Sequence, residues 1–228
     1  MTDFVSQHDR TYLRDLALRY RELCDSDTNR RRIELWRDLN SLRARRPLVY
    51  CNLGLVWAEV LPPREVDSDA LAGAEWWFRK ALVAAFAGDD RVVYPWVPAR
   101  AEMHKQPEGT WGVARNRVRD DSSRGWRNLP VLRTLQDLDR LKMTEHRVLD
   151  PFPPAAELLT DILGDILPVH VNRATIYPKW GGTDLSEAPG ELFGLEELLY
   201  ALYDEPDMVH RFMTFTRDAV MANLEQGE

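Results

Sequence analysis

The chain has 228 residues, of which 44% are hydrophobic, and this is enough for one sizeable core. Its net charge of −7 argues against a nucleic-acid partner. No apolar run approaches the ~18 residues of a membrane span, and the N-terminus lacks the charged start and apolar stretch of a signal peptide. The sequence therefore predicts a soluble, cytoplasmic α/β protein with no membrane partner.

Helical periodicity of apolar residues predicts two helices at the N-terminus. The first covers residues 9–25, and the second runs from about residue 28 to residue 45. Together, residues 1–45 are predicted to form an N-terminal helical extension. A third long helix is predicted over residues 67–87.

Three short apolar runs predict buried strands, over residues 47–51, 91–98 and 166–171. Because helices alternate with these runs, the strands are expected to be parallel and connected by right-handed crossovers. Residues 101–130 are rich in Gly, Asn, Asp, Ser and Arg, and they predict a long loop. Trp111 and Trp126 lie in that stretch, where they can either cover a ligand or anchor the loop to the core.

Helical patterns resume after the polar stretch. Short helices are predicted over residues 137–142 and 153–163, and Pro189-Gly190 predicts a loop. Leucines at helical spacing from Leu195 to Leu202 then predict an amphipathic helix. A second helix follows it, with Pro206 in its first turn.

The sequence of this helix pair contains motifs that resemble those of a known family. It reads Gly-Leu-Glu-Glu-Leu at 194–198 and Asp-x-Pro-x-x-Val-His at 204–210, and Asp218 follows one helix later. Arg46-Pro-Leu-Val-Tyr-Cys-Asn52 looks like the first barrel strand of the same family. Further segments that resemble the same family follow in the same order, at residues 56–60, 88–94, 110–113 and 137–141. The chain thus resembles the N-terminal half of the uroporphyrinogen decarboxylase-like (URO-D-like) superfamily, which includes the heme-pathway decarboxylase and cobalamin-dependent methyltransferases.

The resemblance implies a fold. Members of the superfamily are eight-stranded β/α barrels, which typically need about 250 residues. Three predicted strands make about half a barrel, so residues 46–228 are expected to be the first three or four β/α units of an incomplete (β/α)8 TIM-barrel-type fold. The chain is accordingly expected to be a fragment or a shortened form of such a barrel.

The resemblance also ranks the possible reactions. The heme-pathway decarboxylase carries an Arg-x-x-x-Arg pair after its first strand, whereas Cys51 to Trp57 contains no arginine, so porphyrinogen decarboxylation is disfavoured. The chain is nearer the branch that transfers a methyl group from cobalamin to a thiol with the help of zinc. In that branch the zinc ligands lie in the C-terminal half. The chain itself is therefore expected to bind no metal, and zinc and a corrinoid protein are expected only for a full-length relative.

Active sites of β/α barrels lie at the carboxyl ends of the strands. The candidate pocket residues are therefore those that follow the three predicted strands, while the catalytic residue itself stays unassigned. His170 can ligate a metal or move a proton, or it can be a buried, hydrogen-bonded histidine. Cys51 can be a ligand or a small buried thiol. The full candidate set is Cys51, Asn52, Trp57, Glu59, Trp96, His170, Asn172 and Arg173.

Arginines are concentrated near the N-terminus, between Arg30 and Arg46. Such a basic stripe can meet a phosphate-rich partner or an acidic subunit face. The interleaved Glu34 and Asp38 favour a helix whose charges are paired internally.

Two hypotheses of function follow. The first is an enzyme that acts on a small-molecule substrate or a corrinoid protein. The alternative is a non-catalytic barrel-like module that forms homo-oligomers or binds a protein partner, because an open half-barrel leaves strand edges and apolar faces uncovered.

Overall fold

The computed structural model describes residues 5–54, 56–104, 109, 111–119, 125–143, 147–173, 185 and 187–227. The chain divides into two compact units. Unit 1 comprises residues 1–100 and 152–172, and unit 2 comprises residues 101–151 and 173–228. The structure is mixed α/β, as the sequence predicts.

Helices and strands follow one another along the chain in this order. The α-helices are α1 (Gln7–Asp25), α2 (Asp27–Asn40), α3 (Trp57–Val60), α4 (Asp69–Ala85), α5 (Pro154–Leu163), α6 (Glu187–Phe193), α7 (Leu195–Asp204) and α8 (Pro206–Gly227), and residues Leu135–Arg140 form a 3-10 helix. The strands are β1 (Val97–Arg100), β2 (Glu102–Met103), β3 (Asn116–Arg119), β4 (Trp126–Leu129), β5 (Val148–Asp150) and β6 (Val169–Asn172).

Unit 1 is built around a parallel pair of strands. β1 pairs with β6 from Val97↔Val169 to Arg100↔Asn172. α5 precedes β6 in the chain and packs against both strands, so the three elements form a β-α-β unit. α1 and α4 pack against each other and complete the core. Its largest fully buried side chains are Leu13, Tyr20, Leu71, Phe78, Ile162, Leu163 and Leu167.

The helices predicted for unit 1 are confirmed, with shifted ends. α1 begins at Gln7 because the Ser6 hydroxyl accepts the N–H of Asp9 at 3.0 Å. α2 begins directly after Ser26, whose hydroxyl accepts the N–H of Asn29 at 3.1 Å. It ends at Asn40, earlier than predicted.

The first predicted strand, residues 47–51, is wrong, because these residues belong to no β ladder. Their amides are taken up by carboxylates instead. The N–H of Val49 donates to Asp90 Oδ2 at 2.9 Å, and the N–H of Cys51 donates to Asp89 Oδ2 at 2.9 Å. Side chains thus satisfy the backbone groups that a neighbouring strand would otherwise pair.

The other two strand predictions are correct in part. β6 lies within and just beyond the predicted strand 166–171. The predicted strand 91–98 overlaps β1 only at its end, since residues 91–94 are unpaired in any ladder and residues 95–96 form a bend. Parallel pairing, which the sequence suggests for all three runs, is found for β1 and β6.

Asn29 holds the extended residues 91–94 in place of a β ladder. Its side-chain Oδ1 accepts the N–H of Val93 at 3.0 Å, and its Nδ2 donates to the Val93 carbonyl at 2.9 Å. The same Nδ2 donates to the carbonyl of Cys24 at 2.9 Å, near the end of α1. Asn29 is only 2% exposed, so all of these groups are paired away from water.

Unit 2 corrects the prediction of a long loop over residues 101–130. β3 and β4 form an antiparallel pair from Asn116↔Leu129 to Arg119↔Trp126, and β2 pairs antiparallel with β5. Every residue of β3 is exposed, so this strand has no buried face. A strand without a buried face shows no apolar alternation, which is why the sequence pattern missed it.

The helix pair predicted in unit 2 is confirmed as α7 and α8, and Pro206 is the first residue of α8. The predicted loop at Pro189-Gly190 is wrong, because both residues lie in α6. Trp111 is fully buried and packs edge-on against Phe215, with 5.8 Å between ring centres, so it anchors its segment to the core. Trp126 is 61% exposed.

The strands of the described residues form three two-stranded sheets and no closed barrel. α1 and α2 belong to unit 1 together with residues 46–100, and the division of the chain at residue 45 stays a prediction. None of the helices within the described ranges combines the length and the apolar character needed to cross a bilayer.

The contribution of Asn29 can be measured by unfolding the Asn29→Ala variant in urea. We expect the free energy of unfolding to fall by about 3 kcal/mol, because the N–H and carbonyl of Val93 lose their partners and each buried unpaired group costs ~1–3 kcal/mol. Thr28→Ala, an exposed neighbour in the same turn, should change it by less than about 0.5 kcal/mol. Equal effects of the two substitutions would contradict the clamping role of Asn29.

Candidate functional site

Unit 1 contains a cavity of about 720 Å³ whose walls are mainly aromatic. We call it the aromatic cavity. Its walls come from α1, α2, α3, α4, the extended residues 91–94, and residues 50–54. The lining residues are Tyr20, Trp36, Tyr50, Asn52, Gly54, Trp57, Trp77, Lys80, Ala81, Arg91, Val92, Val93 and Tyr94.

Hydrogen bonds fix several of these walls. The Tyr20 hydroxyl donates to the carbonyl of Tyr94 at 2.8 Å, which joins α1 to the extended segment. The Trp36 indole N–H donates to the carbonyl of Asp90 at 2.7 Å, which joins α2 to the same segment. The cavity is therefore preformed, because its walls do not need a ligand to hold them.

Two carboxylates hold the neighbouring chain segment against this wall. Arg46 donates two hydrogen bonds of 2.7 Å to Asp90, which also accepts the N–H of Val49. The Arg46 guanidinium and the Val49 N–H hold the pKa of the Asp90 carboxyl well below its usual range. Asp89 accepts the N–H groups of Cys51 and Arg91 in the same way, at 2.9 Å and 3.1 Å.

The cavity lining contains two cations and no carboxylate among its described residues. Lys80 Nζ lies 5.2 Å from the centre of the Trp76 ring and 5.9 Å from that of Trp57. Burial lowers the pKa of the Lys80 ammonium, and the positive charge of Arg91 lowers it further.

Arg91 is engaged by the protein. Its guanidinium carbon lies 4.2 Å from the centre of the Tyr50 ring, and its Nη2 donates to the carbonyl of Cys51 at 2.5 Å. Its Nε lies 3.7 Å from an oxygen of Asp89. These contacts make Arg91 a structural cation of the cavity wall.

One residue of the cavity wall, Trp77, has an indole N–H that can donate a hydrogen bond. The indole Nε1 of Trp77 is buried, and no acceptor in the described part of the chain meets hydrogen-bond geometry with it. It still lies close enough to the Tyr20 hydroxyl to favour the ionised phenol, although burial dominates and raises the pKa of Tyr20. Trp77 and Lys80 are three residues apart on α4, so their side chains emerge from the same face of the helix.

Several of the predicted site residues come together around this cavity. Asn52 and Trp57 line it, and the carbonyl of Cys51 receives Arg91 at its edge. Trp96 stacks on the lining residue Tyr94 with 4.6 Å between ring centres. The His170 ring follows at 5.7 Å from Trp96, so an aromatic row extends from the cavity to β6.

The remaining predicted residues lie apart from the cavity lining. Glu59 is exposed on α3, and Asn172 and Arg173 are exposed at the end of β6. His170 is also exposed, so the alternative of a buried histidine is wrong, and Cys51 is half-buried.

Sequence reasoning missed the residues that give the cavity its character. Lys80, Trp77 and Tyr20 lie on helices, whereas the predicted site residues were those at the ends of strands. The tandem Trp76-Trp77 followed by Lys80 was the available signal, because large aromatic residues in a helix next to a cation can form a cation–π contact. Without the tertiary structure it reads as part of an ordinary amphipathic helix.

The prediction that the basic stripe pairs internally is confirmed for Arg30, Arg37 and Arg43, while Arg46 pairs outside the stripe with Asp90. Arg37 contacts Glu34 at 2.7 Å, and Arg43 contacts Asp38 at 3.2 Å. Both pairs are exposed, so they contribute little to stability.

A smaller cavity of about 400 Å³ shares the Trp57 wall. It borders the buried ion pair of Glu75 and Arg79, which are 2.7 Å apart. Glu75 accepts the N–H of Glu65, and Arg79 donates to the carbonyl of Pro63. These bonds fasten the segment before α4, so the pair is explained by structure. Within the described ranges, no three His, Cys, Asp or Glu side chains gather in a group that could hold a metal ion.

Comparisons with protein-family models, with curated proteins and with solved structures found no match to this chain.

The lowered pKa of Asp90 predicts a pH dependence of stability. A carboxyl whose pKa is lower in the folded state stabilises the fold above its ordinary pKa, and this contribution is lost as the pH falls toward the lowered value. Between about pH 5 and about pH 2, the unfolding midpoint in urea should therefore fall more steeply for the natural sequence than for Asp90→Asn. Asp15→Asn, which removes an exposed carboxylate from α1, controls for the loss of one charge. Identical slopes for the natural sequence and Asp90→Asn would exclude this role of Asp90.

Proposed function

We propose that this chain is the N-terminal part of a URO-D-like enzyme and that the aromatic cavity holds its small-molecule substrate. The observation that carries the proposal is the cavity itself, with about 720 Å³ of space, fixed aromatic walls and two cations. Ligand sites of enzymes usually have this size and character, with apolar walls and a few polar groups at defined positions. Asn52 and Trp57, which the family resemblance nominated, lie in its lining.

We also propose that the mixed α/β fold is part of a TIM-type barrel. β1, α5 and β6 form a parallel β-α-β unit, which is the repeating element of a TIM barrel. This unit supports the proposal that residues 46–228 contribute the first units of an incomplete (β/α)8 barrel. The antiparallel pairs of unit 2 would then be insertions between barrel strands.

The proposed reaction is methyl transfer from cobalamin to a thiol, which rests on the family resemblance. Bound zinc would turn the thiol into a nucleophilic thiolate. The described residues do not supply a zinc site, since Cys24 is buried in the core of unit 1 and no cluster of ligands forms around Cys51. The metal and the corrinoid protein therefore remain proposals for a full-length relative.

Porphyrinogen decarboxylation stays the enzymatic alternative. The sequence argued against it because the stretch from Cys51 to Trp57 contains no arginine. Lys80 and Arg91 nevertheless bring positive charge into the cavity from other segments, and substrate carboxylates require such charge.

A non-catalytic role is supported by one surface of unit 2. The apolar side chains of α7 repeat on one helix face and are largely exposed, at 70% for Leu195, 61% for Leu199 and 55% for Leu202. An exposed apolar stripe of this kind favours self-association or a protein partner.

The enzymatic proposal is tested with the natural protein isolated from its source cells. It is incubated with methylcobalamin and the neutral aromatic thiol benzyl mercaptan, and the methyl thioether is measured by mass spectrometry. We expect product, and a rate that falls about tenfold in Trp57→Ala, equivalent to ~1.4 kcal/mol. Trp126→Ala, which removes an exposed tryptophan of unit 2, should leave the rate unchanged.

The other outcomes decide between the alternatives. Carbon dioxide released from uroporphyrinogen, without methyl transfer, would favour the decarboxylase. The absence of both reactions, together with a concentration-dependent dimer in sedimentation that Leu199→Glu abolishes, would favour the non-catalytic module.

A further inference from the structure

We propose that the ligand of the aromatic cavity is a planar aromatic carboxylate, whose ring lies among the tryptophan side chains and whose carboxylate pairs with Lys80. This inference rests on the proposed function only in taking the cavity as the substrate site. It does not depend on which reaction follows.

The aromatic walls specify the shape of the ligand. Six of the lining residues are aromatic: Tyr20, Trp36, Tyr50, Trp57, Trp77 and Tyr94. Aromatic rings prefer offset-stacked or edge-to-face neighbours with ring centres about 4.5–7 Å apart, and a planar ring can satisfy several walls at once. The Trp57 and Trp76 rings already meet edge to face at 6.5 Å. A planar ligand could extend this arrangement into the cavity.

The state of Lys80 specifies the charge of the ligand. Lys80 has no ion pair in the part of the chain that the structure describes, and the cation Arg91 lines the same cavity. The indole faces of Trp57 and Trp76 compensate only part of the lost hydration of an ammonium group. A ligand carboxylate would supply the missing counter-charge within a partly desolvated site, where an ion pair is stronger than in water.

Arg91 cannot serve equally well, because the protein already uses it. Its guanidinium contacts the carbonyl of Cys51, the carboxylate of Asp89 and the ring of Tyr50. Lys80 is therefore the cation available to a ligand, and Arg91 keeps the local potential positive.

Neutral donors that line the same cavity as Lys80 suit the second oxygen of a carboxylate. Trp77 Nε1 is buried without an acceptor in the described structure, and it lies on the same face of α4 as Lys80. The side-chain oxygen of Asn52 accepts the N–H of Gly54 at 2.9 Å, and its amide NH2 group is a further donor. One cation with one or two neutral donors matches a single carboxylate better than a doubly charged phosphate.

Titration calorimetry with three probes tests the inference. 2-Naphthoate has the proposed ring and charge, 2-naphthamide has the ring without the charge, and cyclohexanecarboxylate has the charge without an aromatic ring. We expect the natural protein to bind 2-naphthoate at least about tenfold more tightly than either of the other two probes, equivalent to ~1.4 kcal/mol.

Variants assign the preference to Lys80. Lys80→Gln should bind 2-naphthoate and 2-naphthamide equally, whereas Lys80→Arg should keep a preference for the anion. Lys142→Gln removes an exposed lysine of unit 2 and should behave like the natural protein. Urea unfolding of each variant shows whether it is folded.

The outcomes separate this inference from the proposed function. Equal binding of 2-naphthoate and 2-naphthamide by the natural protein would overturn the assignment of charge, and equal binding of cyclohexanecarboxylate would overturn the assignment of ring. Absence of binding by all three probes would overturn the ligand class. In each of these cases the cavity would still stand as the substrate site if Trp57→Ala slowed the methyl transfer to benzyl mercaptan.

Discussion

In unit 1, side-chain hydrogen bonds fix the position of residues 89–94. They take the role that the backbone hydrogen bonds of a β ladder would ordinarily have. Asn29 takes both backbone groups of Val93, and the carboxylates of Asp89 and Asp90 take the amides of the segment 47–51. Together with the 2.8 Å backbone hydrogen bond from the Asp90 N–H to the Val49 carbonyl, these three side chains hold the two segments in place. The aromatic cavity depends on them, since the same segments contribute Tyr50 and residues 91–94 to its walls.

This way of building a wall has a consequence for the site. Here the carboxylates Asp89 and Asp90 are consumed by backbone amides, Arg46 and Arg91. Lys80 has aromatic neighbours and no carboxylate partner within the described structure.

Prediction succeeded where local physics was sufficient. The helices near 9–25, 67–87 and 195–202 were found because the spacing of apolar residues along a sequence is enough to predict an amphipathic helix. The strands of unit 2 were missed because β3 has no buried face. The apolar run 47–51 was taken for a buried strand, but Val49 and Tyr50 are 55% and 57% exposed and carboxylates accept two of its amides. Neither the exposure of the run nor the partners of its backbone groups can be read from its own sequence.

The residues of the candidate site also fall into two groups, those that the local sequence could predict and those that it could not. Asn52 and Trp57 could be nominated because they follow an apolar run, and the structure places both in the cavity. Lys80, Trp77 and Tyr20 could not, because their convergence depends on how α1 and α4 pack. By itself the sequence determined the helices α1, α2, α4, α5, α7 and α8, the β6 region and the mixed α/β class, since these follow from periodicity along the chain. Only the tertiary structure decided which carboxylates replace a ladder and which side chains enclose the cavity, because both depend on contacts between residues far apart in sequence.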